Sequence, residues 1–262
     1  MLAQRFGGPD IEAIALTGSY ARGQAAPLSD VDLLRFAATA PATERERYRL
    51  WLVNGRLVSV STTTIVSKRA DLARPESAMW VVPGLRQARI LADRDGRLAA
   101  LIAEAHAFTW TPALSAAAAD LVSDTLAGLS EEVHKLLGAF TRGDESAMLY
   151  AVLGLQQSLT RAALIARGVL LPSENDYFAE ALRLAGPGSR WERLLRVVIG
   201  FDATPHGASP ARARGETALW LYVEAATLLA DTLMPEDAPL VAEAVARIHE
   251  ALPHAALPAS GV

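Results

Sequence analysis

The sequence contains no cysteine among its 262 residues, which excludes disulfide bonds and thiolate metal sites. It also has no excess of positive charge. The net charge is −4, which argues against nucleic acid or an anionic membrane as a partner. No apolar run reaches the roughly eighteen residues of a membrane span, and no signal-peptide pattern occurs at the start. These absences predict a cytoplasmic protein.

Several catalytic signatures are missing as well. The five histidines form no HExxH motif and no paired ligand spacing, so a zinc enzyme is not indicated. There is no GxSxG motif and no Walker A motif, which removes the nucleophile-elbow hydrolases and the P-loop proteins from consideration.

The composition and the hydrophobic periodicity predict a folded chain with two different halves. Hydrophobic residues make up 51% and charged residues 21%, which is typical of a globular protein. Short apolar runs and turns dominate residues 1–111, whereas residues 112–262 follow a helical period. We therefore predict an α+β protein: an N-terminal α/β domain with a mixed sheet, followed by a C-terminal helical bundle, a possible acceptor-binding domain.

The predicted elements follow from these patterns. Asn54-Gly55 between two apolar runs favours a type I′ hairpin turn, and Pro83-Gly84 indicates a break before the last strand. Leucines and aromatic residues around Trp191, Trp220 and Tyr222 fit a bundle core. The predicted strands are 12–17, 30–36, 48–53, 56–64 and 88–91. The predicted helices are 43–47, 95–108, a stretch through 126–140, 146–167, 176–184, 191–199, 211–233 and 239–252.

Two aspartates stand one residue apart at the start of the second predicted strand. Side chains two positions apart point to the same face of a strand, so Asp30 and Asp32 would lie side by side. Two neighbouring carboxylates repel one another unless a cation lies between them. Mg²⁺, which prefers oxygen ligands, is the simplest candidate.

A glycine-serine turn ends the first predicted strand. Gly18 permits a close approach of the backbone, and a helix that begins at Ser19 would direct free N–H groups at phosphate oxygens. Arg22 adds a positive charge. A phosphate site formed by these three residues next to a metal-binding aspartate pair would be a nucleotide-polyphosphate site.

The motif Gly18-Ser19-x-Ala21-Arg22-Gly23, followed by Ser29-Asp30-x-Asp32-Leu33, resembles the signature of the DNA polymerase β-like nucleotidyltransferase superfamily. The nearest likeness is to the minimal and the aminoglycoside nucleotidyltransferases. The resemblance implies Mg²⁺ as cofactor, bound by Asp30 and Asp32, and a nucleoside triphosphate held at Gly18, Ser19 and Arg22.

The third carboxylate that such enzymes usually carry on a later strand is missing. Alternation in the segment 56–62 places Ser59 and Ser61 on the face where the acid would be expected. Asp71 and Glu76, further along the chain, are the alternatives.

Two residues of the helical half are further candidates. The resemblance suggests Glu132 as a general base and Lys135 as a phosphate contact. The alternative is an exposed ion pair between Glu131 and Lys135 on one helix.

The leading hypothesis is transfer of a nucleoside monophosphate, AMP from ATP, to a hydroxyl of a small molecule or a protein. A nucleotide-binding or regulatory protein that has lost turnover with the third acid is the second hypothesis. A bare interaction scaffold is the third.

Overall fold

The structure, a computed structural model, describes residues 2–204 and 209–252. These residues form two compact units. The first unit comprises the residues up to Leu114 together with Leu170–Asn175. The second comprises Ser115–Val169 and the described residues from Asp176 onward. The functional division predicted at residue 111 stays a prediction, and the segment Leu170–Asn175 groups with the first unit.

The first unit is built on a mixed five-stranded sheet with the order β3-β4-β2-β1-β5. Strands β2 and β4 pair in parallel, whereas the pairs β1/β2, β1/β5 and β3/β4 are antiparallel. The mixed sheet predicted from the sequence is thus confirmed. The strands are β1 Ile11–Thr17, β2 Val31–Ala37, β3 Tyr48–Val53, β4 Arg56–Thr63 and β5 Arg89–Asp93.

The turn between β3 and β4 has the predicted hairpin geometry. Asn54 and Gly55 adopt φ angles of 51° and 76°, and a type I′ turn requires positive φ at both central positions. This turn fixes the register of β3 on β4, in which Leu50 lies opposite Ser59.

Each face of the sheet carries its own hydrophobic core, because successive side chains of a strand point to opposite faces. One core joins residues of β1 and β2 to the helices that follow the sheet strands: Ala13, Ala15, Phe36, Ile65, Leu85, Leu98, Leu101 and Ala105. The other core lies on the opposite face and contains Phe6, Ile14, Val31, Leu33, Val58 and Val60. Asp32 and Ser59 alternate with residues of this second core, so they lie on the first face.

Six α-helices of the first unit accompany the sheet in the described chain. Thr43 begins α3 with a capping box that includes Glu46, and Thr64 caps α4 through a hydrogen bond from the Ser67 N–H. The helices are α1 Leu2–Phe6, α2 Gly18–Ala21, α3 Glu44–Arg47, α4 Ile65–Ala70, α5 Pro75–Gln87 and α6 Arg97–Ala107.

Helix α5 corrects the prediction that Pro83-Gly84 forms a break before β5. Pro83 lies inside this helix, where its missing N–H leaves the carbonyl four residues earlier without its helical donor. That carbonyl belongs to Met79, and it accepts the N–H of Leu171 at 2.7 Å. The proline therefore provides an acceptor that anchors the distant segment Leu170–Asn175 to the first unit.

Helices also account for the described chain from Pro112 onward, as predicted. Trp191 and Tyr222 are fully buried and Trp220 nearly so, which confirms them as core residues. Trp191 Nε1 donates to the Ala181 carbonyl at 2.7 Å, and the Tyr222 hydroxyl donates to the Leu126 carbonyl at 3.0 Å. The helices are α7 Pro112–Gly128, α8 Ser130–Arg142, α9 Glu145–Ala166, α10 Tyr177–Arg183, α11 Arg190–Ile199, α12 Pro210–Leu228 and α13 Ala238–Ala251.

Two of the predicted helices differ most from the structure. The apolar stripe through 126–140 crosses the break at Leu129 between α7 and α8, because periodicity alone does not report a change of helix. The helix predicted over 211–233 ends at Leu228. The chain beyond it is held by buried Ser123, whose hydroxyl accepts the Met234 N–H at 2.8 Å.

Among the described helices, none combines the length and the apolar character needed to cross a membrane.

Candidate functional site

The pairing register of three strands brings the predicted site residues together. Thr17, the last residue of β1, lies opposite Asp32 on β2, and Asp32 in turn lies opposite Ser59 on β4. Gly18 follows Thr17 directly and begins the short helix α2. The turn and the aspartates, which are a dozen residues apart in sequence, therefore meet at one end of the sheet.

The carboxylate of Asp32 is held from two sides. Ser59 Oγ donates a hydrogen bond to Asp32 Oδ1 at 2.6 Å. On the other side, a Cβ atom built on Gly18 would lie 2.0 Å from Asp32 Oδ2. Gly18 also has a φ of 64°, which other residues rarely adopt. Glycine is required here for both reasons, and the group that comes close to its backbone is the carboxylate of Asp32.

The surroundings of Asp32 disfavour its negative charge. Burial raises the pKa of the Asp32 carboxyl above its ordinary value, and the nearby charge of Asp30 raises it further. The hydrogen bond from Ser59 and the positive charge of Arg22 act in the opposite direction. A cation beside the two aspartates would relieve the part of this cost that comes from like charges.

A cleft of about 740 Å³ opens beside Asp32 in the first unit. This volume is in the range of small-molecule sites. Five residues predicted from the sequence line it: Gly18, Ser19, Arg22, Asp30 and Asp32. Arg22 is oriented by hydrogen bonds to the side-chain oxygens of Gln24 at 2.9 Å and Gln87 at 3.2 Å.

Other residues that line the cleft were not predicted. Lys68, on α4, forms an ion pair with Asp71 at 3.2 Å and brings a second positive charge to the cleft. Tyr48 and Trp80 add aromatic surface. The segment 171–175 contributes a further wall. No local motif marks these residues, because they reach the cleft through the packing of β3, α4 and α5 and through the Met79–Leu171 hydrogen bond.

Among the described residues, the structure likewise places no third carboxylate beside Asp30 and Asp32. Ser59 and Ser61 line the cleft at the positions that alternation predicted. Asp71 is instead paired with Lys68 and Arg74, and Glu76 lies 3.9 Å from Arg74. Within the described chain, no group of three or more Asp, Glu, His or Cys side chains is placed to hold a metal ion.

Two carboxylates nevertheless fit one magnesium ion. Mg²⁺ in proteins is commonly held by one or two carboxylates and completes its coordination with water and substrate phosphates. Asp30 and Asp32 meet this requirement at the cleft. Ser59, with its hydroxyl committed to Asp32, offers no charged ligand for a second ion.

Glu132 and Lys135 lie on α8, in the second unit. Lys135 Nζ lies 2.7 Å from Glu132 Oε1 and 2.9 Å from Glu131 Oε1, and these two hydrogen bonds raise the pKa of the lysine. The predicted alternative, an ion pair on one helix, is thus present. Glu132 Oε2 is buried and has no hydrogen-bond partner among the described residues. The catalytic roles of both residues remain predictions.

The N-terminal part of the chain matches a known protein family. Residues 2–70 match the family model described as nucleotidyltransferase domain. This segment contains β1, α2, β2 and β4, and with them the whole Gly18-Ser19 and Asp30-x-Asp32 motif. The chain carries a nucleotidyltransferase domain.

The match confirms the superfamily that the motif predicted, and it supports nucleotidyl transfer as the general function. The nearer likeness to minimal and aminoglycoside nucleotidyltransferases stays a prediction. No curated protein matches the chain.

A crystal structure of a nucleotidyltransferase-like protein from Exiguobacterium sibiricum 255-15 aligns with 97% of this chain and 87% of its own. The two chains are 12% identical and superpose with a TM-score of 0.48.

The contact between Gly18 and Asp32 can be tested by stability measurements alone. Gly18→Ala should lower the free energy of unfolding more than Gly23→Ala, by about 1–3 kcal/mol, because the new methyl group overlaps the carboxylate. Gly23 is a matched control, since its φ of 71° imposes the same backbone strain and a Cβ there meets no atom within 4 Å.

In an Asp32→Ala background, most of the difference between the two alanine variants should disappear. Urea unfolding of the variants in both backgrounds measures the whole cycle. If the difference is undiminished in that background, the destabilisation by Gly18→Ala does not come from overlap with the Asp32 carboxylate.

Proposed function

We propose that the protein transfers AMP from ATP to a hydroxyl group in a Mg²⁺-dependent reaction. The observation that carries the proposal is the meeting of the Gly18-Ser19 turn with Asp30 and Asp32 at one cleft of a nucleotidyltransferase domain. The acceptor is a small molecule or a hydroxyl side chain of a protein.

Asp30 and Asp32 are the proposed ligands of the metal. A bound Mg²⁺ supplies positive charge that neutralises the triphosphate and favours the ionised form of the acceptor hydroxyl. Ser59 keeps Asp32 oriented through its 2.6 Å hydrogen bond, and Gly18 leaves room for the carboxylate. The chain thus contributes a pair of anionic ligands at the reacting end of the cleft, and one of them, Asp32, is held in place.

The triphosphate would be held by the cations of the same cleft. Arg22 and Lys68 are its positively charged lining residues, and the first-turn N–H groups of a helix, here at Ser19, have no acceptor within their own helix. These groups stabilise the charge that collects on the departing pyrophosphate. Positioning and charge neutralisation account for most of the catalysis of phosphoryl transfer.

In the reaction, the acceptor oxygen forms a bond to the α-phosphorus as the bond between that phosphorus and the β-phosphate bridging oxygen breaks. The acceptor proton passes to a base, and pyrophosphate leaves with the bonding electrons. Glu132, from the helical part of the chain, is the proposed base, and Lys135 the proposed phosphate contact. The region 112–262 is the proposed acceptor-binding domain.

A second candidate function is nucleotide binding without turnover. The observation in its favour is Ser59, which stands beside Asp32 where the family usually supplies a third acid. A protein of this kind would retain ATP binding and would release no pyrophosphate.

Pyrophosphate release from ATP with Mg²⁺ separates the two candidates. We expect release that depends on an added acceptor, tested with aminoglycosides and with hydroxyl-bearing proteins. Asp30→Asn and Asp32→Asn should each reduce it by at least about a hundredfold, since each removes a negative charge from the metal site. Melting temperatures of both variants serve as the folding control. Full activity in both variants would refute the metal pair, and ATP binding without release would favour the second candidate.

Ser59→Asp should restore part of the missing metal ligand set. Ser59 is only 5% exposed, so a carboxylate there should destabilise the metal-free protein by about 1–3 kcal/mol. Added Mn²⁺ should reverse this loss, because ligand binding stabilises the folded state. Ser59→Asn, which adds a similar volume without charge, is the control.

Thermal unfolding with and without Mn²⁺ measures both effects in one sample. If Ser59→Asp and Ser59→Asn respond equally to Mn²⁺, position 59 is not next to the metal, and Ser61 becomes the better candidate.

Glu131 provides a matched control for the proposed base, because both glutamates pair with Lys135, and the Glu132 side chain is 18% exposed whereas that of Glu131 is 74% exposed. Glu132→Gln should lower the turnover number by about 10²–10⁴-fold, the usual contribution of a general base. Glu131→Gln should stay within about twofold of the parent protein, as expected for an exposed ion pair. Acceptor-dependent pyrophosphate release measures both. Equal effects of the two substitutions would show that Glu132 acts through its ion pair with Lys135 and not as a base.

A further inference from the structure

A second pocket, of about 320 Å³, lies on the opposite face of the sheet from the cleft beside Asp32, which is called the catalytic cleft below. Its side chains come from α3 and from β2, β3 and β4. Arg35 follows Leu33 by two residues, and Thr62 follows Val60 by two, so they share the face of the core that contains Leu33 and Val60. Asp32 and Ser59 point to the other face. The pocket is lined by Arg35, Thr43, Arg45, Glu46, Arg49, Trp51, Val60 and Thr62.

Two of the three arginines are held in place by neighbours. Arg35 Nε donates to Thr62 Oγ1 at 3.1 Å across the β2/β4 pair. The guanidinium of Arg49 stacks over the ring of Trp51, with its Cζ atom 4.0 Å from the ring centroid. Trp51 in turn packs edge-on against the buried ring of Phe6 at 5.9 Å. These contacts orient the guanidinium groups, so the arginine side chains lose less conformational entropy when a ligand binds.

The positive charge of this pocket is not balanced by acidic side chains of the described residues. In the described parts of the chain, none of Arg35, Arg45 and Arg49 forms an ion pair with a carboxylate. Glu46 is the acidic residue of the lining, and its Oε2 accepts the backbone N–H groups of Ala42 at 2.8 Å and Thr43 at 3.4 Å as part of the α3 capping box. Three cations and one committed carboxylate leave a net charge of about +2, in a chain whose overall charge is −4.

We propose that this pocket binds a small anion that carries at least two negative charges on phosphate groups. A guanidinium group presents planar, paired donors that match the oxygens of a phosphate, and three such groups around one pocket can each bind a different oxygen pair. The volume admits a diphosphate with little else attached, which favours a small molecule over a polymer. The proposal does not depend on the function proposed for the catalytic cleft.

Inorganic pyrophosphate in the presence of EDTA is the probe. Without a divalent metal, Asp30 and Asp32 repel the anion and weaken any binding at Arg22 and Lys68, and substitutions at Arg45 and Arg49 would leave such binding unchanged. Isothermal titration of the full chain should show saturable binding at one site. Arg45→Gln combined with Arg49→Gln should weaken it at least about tenfold, as expected for the loss of charge-assisted hydrogen bonds.

Arg47→Gln is the matched control. Arg47 lies on the same helix as Arg45, and it pairs with Glu44 at 2.7 Å outside the pocket. Its substitution removes one positive charge and should change the affinity by less than about twofold. Arg45 and Arg49 are exposed, and Arg49→Gln loses only its stacking on Trp51, so their substitutions should lower the melting temperature by no more than a few degrees. If the combined variant unfolds, each single substitution is measured instead, and each should still weaken binding more than Arg47→Gln.

Two further titrations identify the source of the phosphate. Inorganic phosphate should bind more weakly than pyrophosphate, because it engages fewer of the guanidinium groups. A short single-stranded oligonucleotide should bind more weakly than pyrophosphate as well. Tighter binding of the oligonucleotide, with the same dependence on Arg45 and Arg49, would overturn the assignment to a small molecule. No saturable binding of pyrophosphate, or equal loss in the Arg47 control, would overturn the pocket itself.

Discussion

The position of one carboxylate, that of Asp32, constrains the rest of the site. Ser59 donates to one oxygen of this group at 2.6 Å, and the backbone of Gly18 lies against the other. These contacts require β4 to run parallel beside β2, β1 to end at Thr17, and residue 18 to have no side chain. The sheet order and the glycine of the turn therefore have a single common consequence: a half-buried acid whose charge is fixed in place.

A charge held in this way is costly without a counter-ion, and the raised pKa of Asp32 expresses that cost. The cations of the cleft, Arg22 and Lys68, contact Gln87 and Asp71, and neither forms an ion pair with Asp32 in the described chain. In the proposed function, a divalent ion that arrives with a nucleotide would supply the counter-charge that these side chains do not provide. Ser59 would then limit the proposed site to one well-held ion, because it contributes a hydrogen bond to Asp32 and no charge of its own.

Much of this arrangement could be predicted from local sequence. Alternation placed Asp30, Asp32, Ser59 and Ser61 on one face, and Asn54-Gly55 fixed the register of the hairpin, since both signals act over a few residues. The contribution of Leu170–Asn175 could not be predicted, because it depends on a hydrogen bond between residues far apart in sequence. Pro83 misleads because of the same long-range hydrogen bond. A proline favours a helix break, whereas here the Met79 carbonyl, which loses its helical donor, accepts the N–H of Leu171 instead.

The central claim is that Asp30 and Asp32 hold a divalent metal together with a nucleoside triphosphate. Anomalous diffraction from crystals grown with Mn²⁺ and a non-hydrolysable ATP analogue tests this claim most directly. We expect an anomalous peak within about 2.0–2.3 Å of an oxygen of each aspartate and of the analogue's phosphates, the range of bonds from a hard cation of this size to oxygen. A peak located away from both aspartates, with the analogue bound in the cleft, would contradict the account.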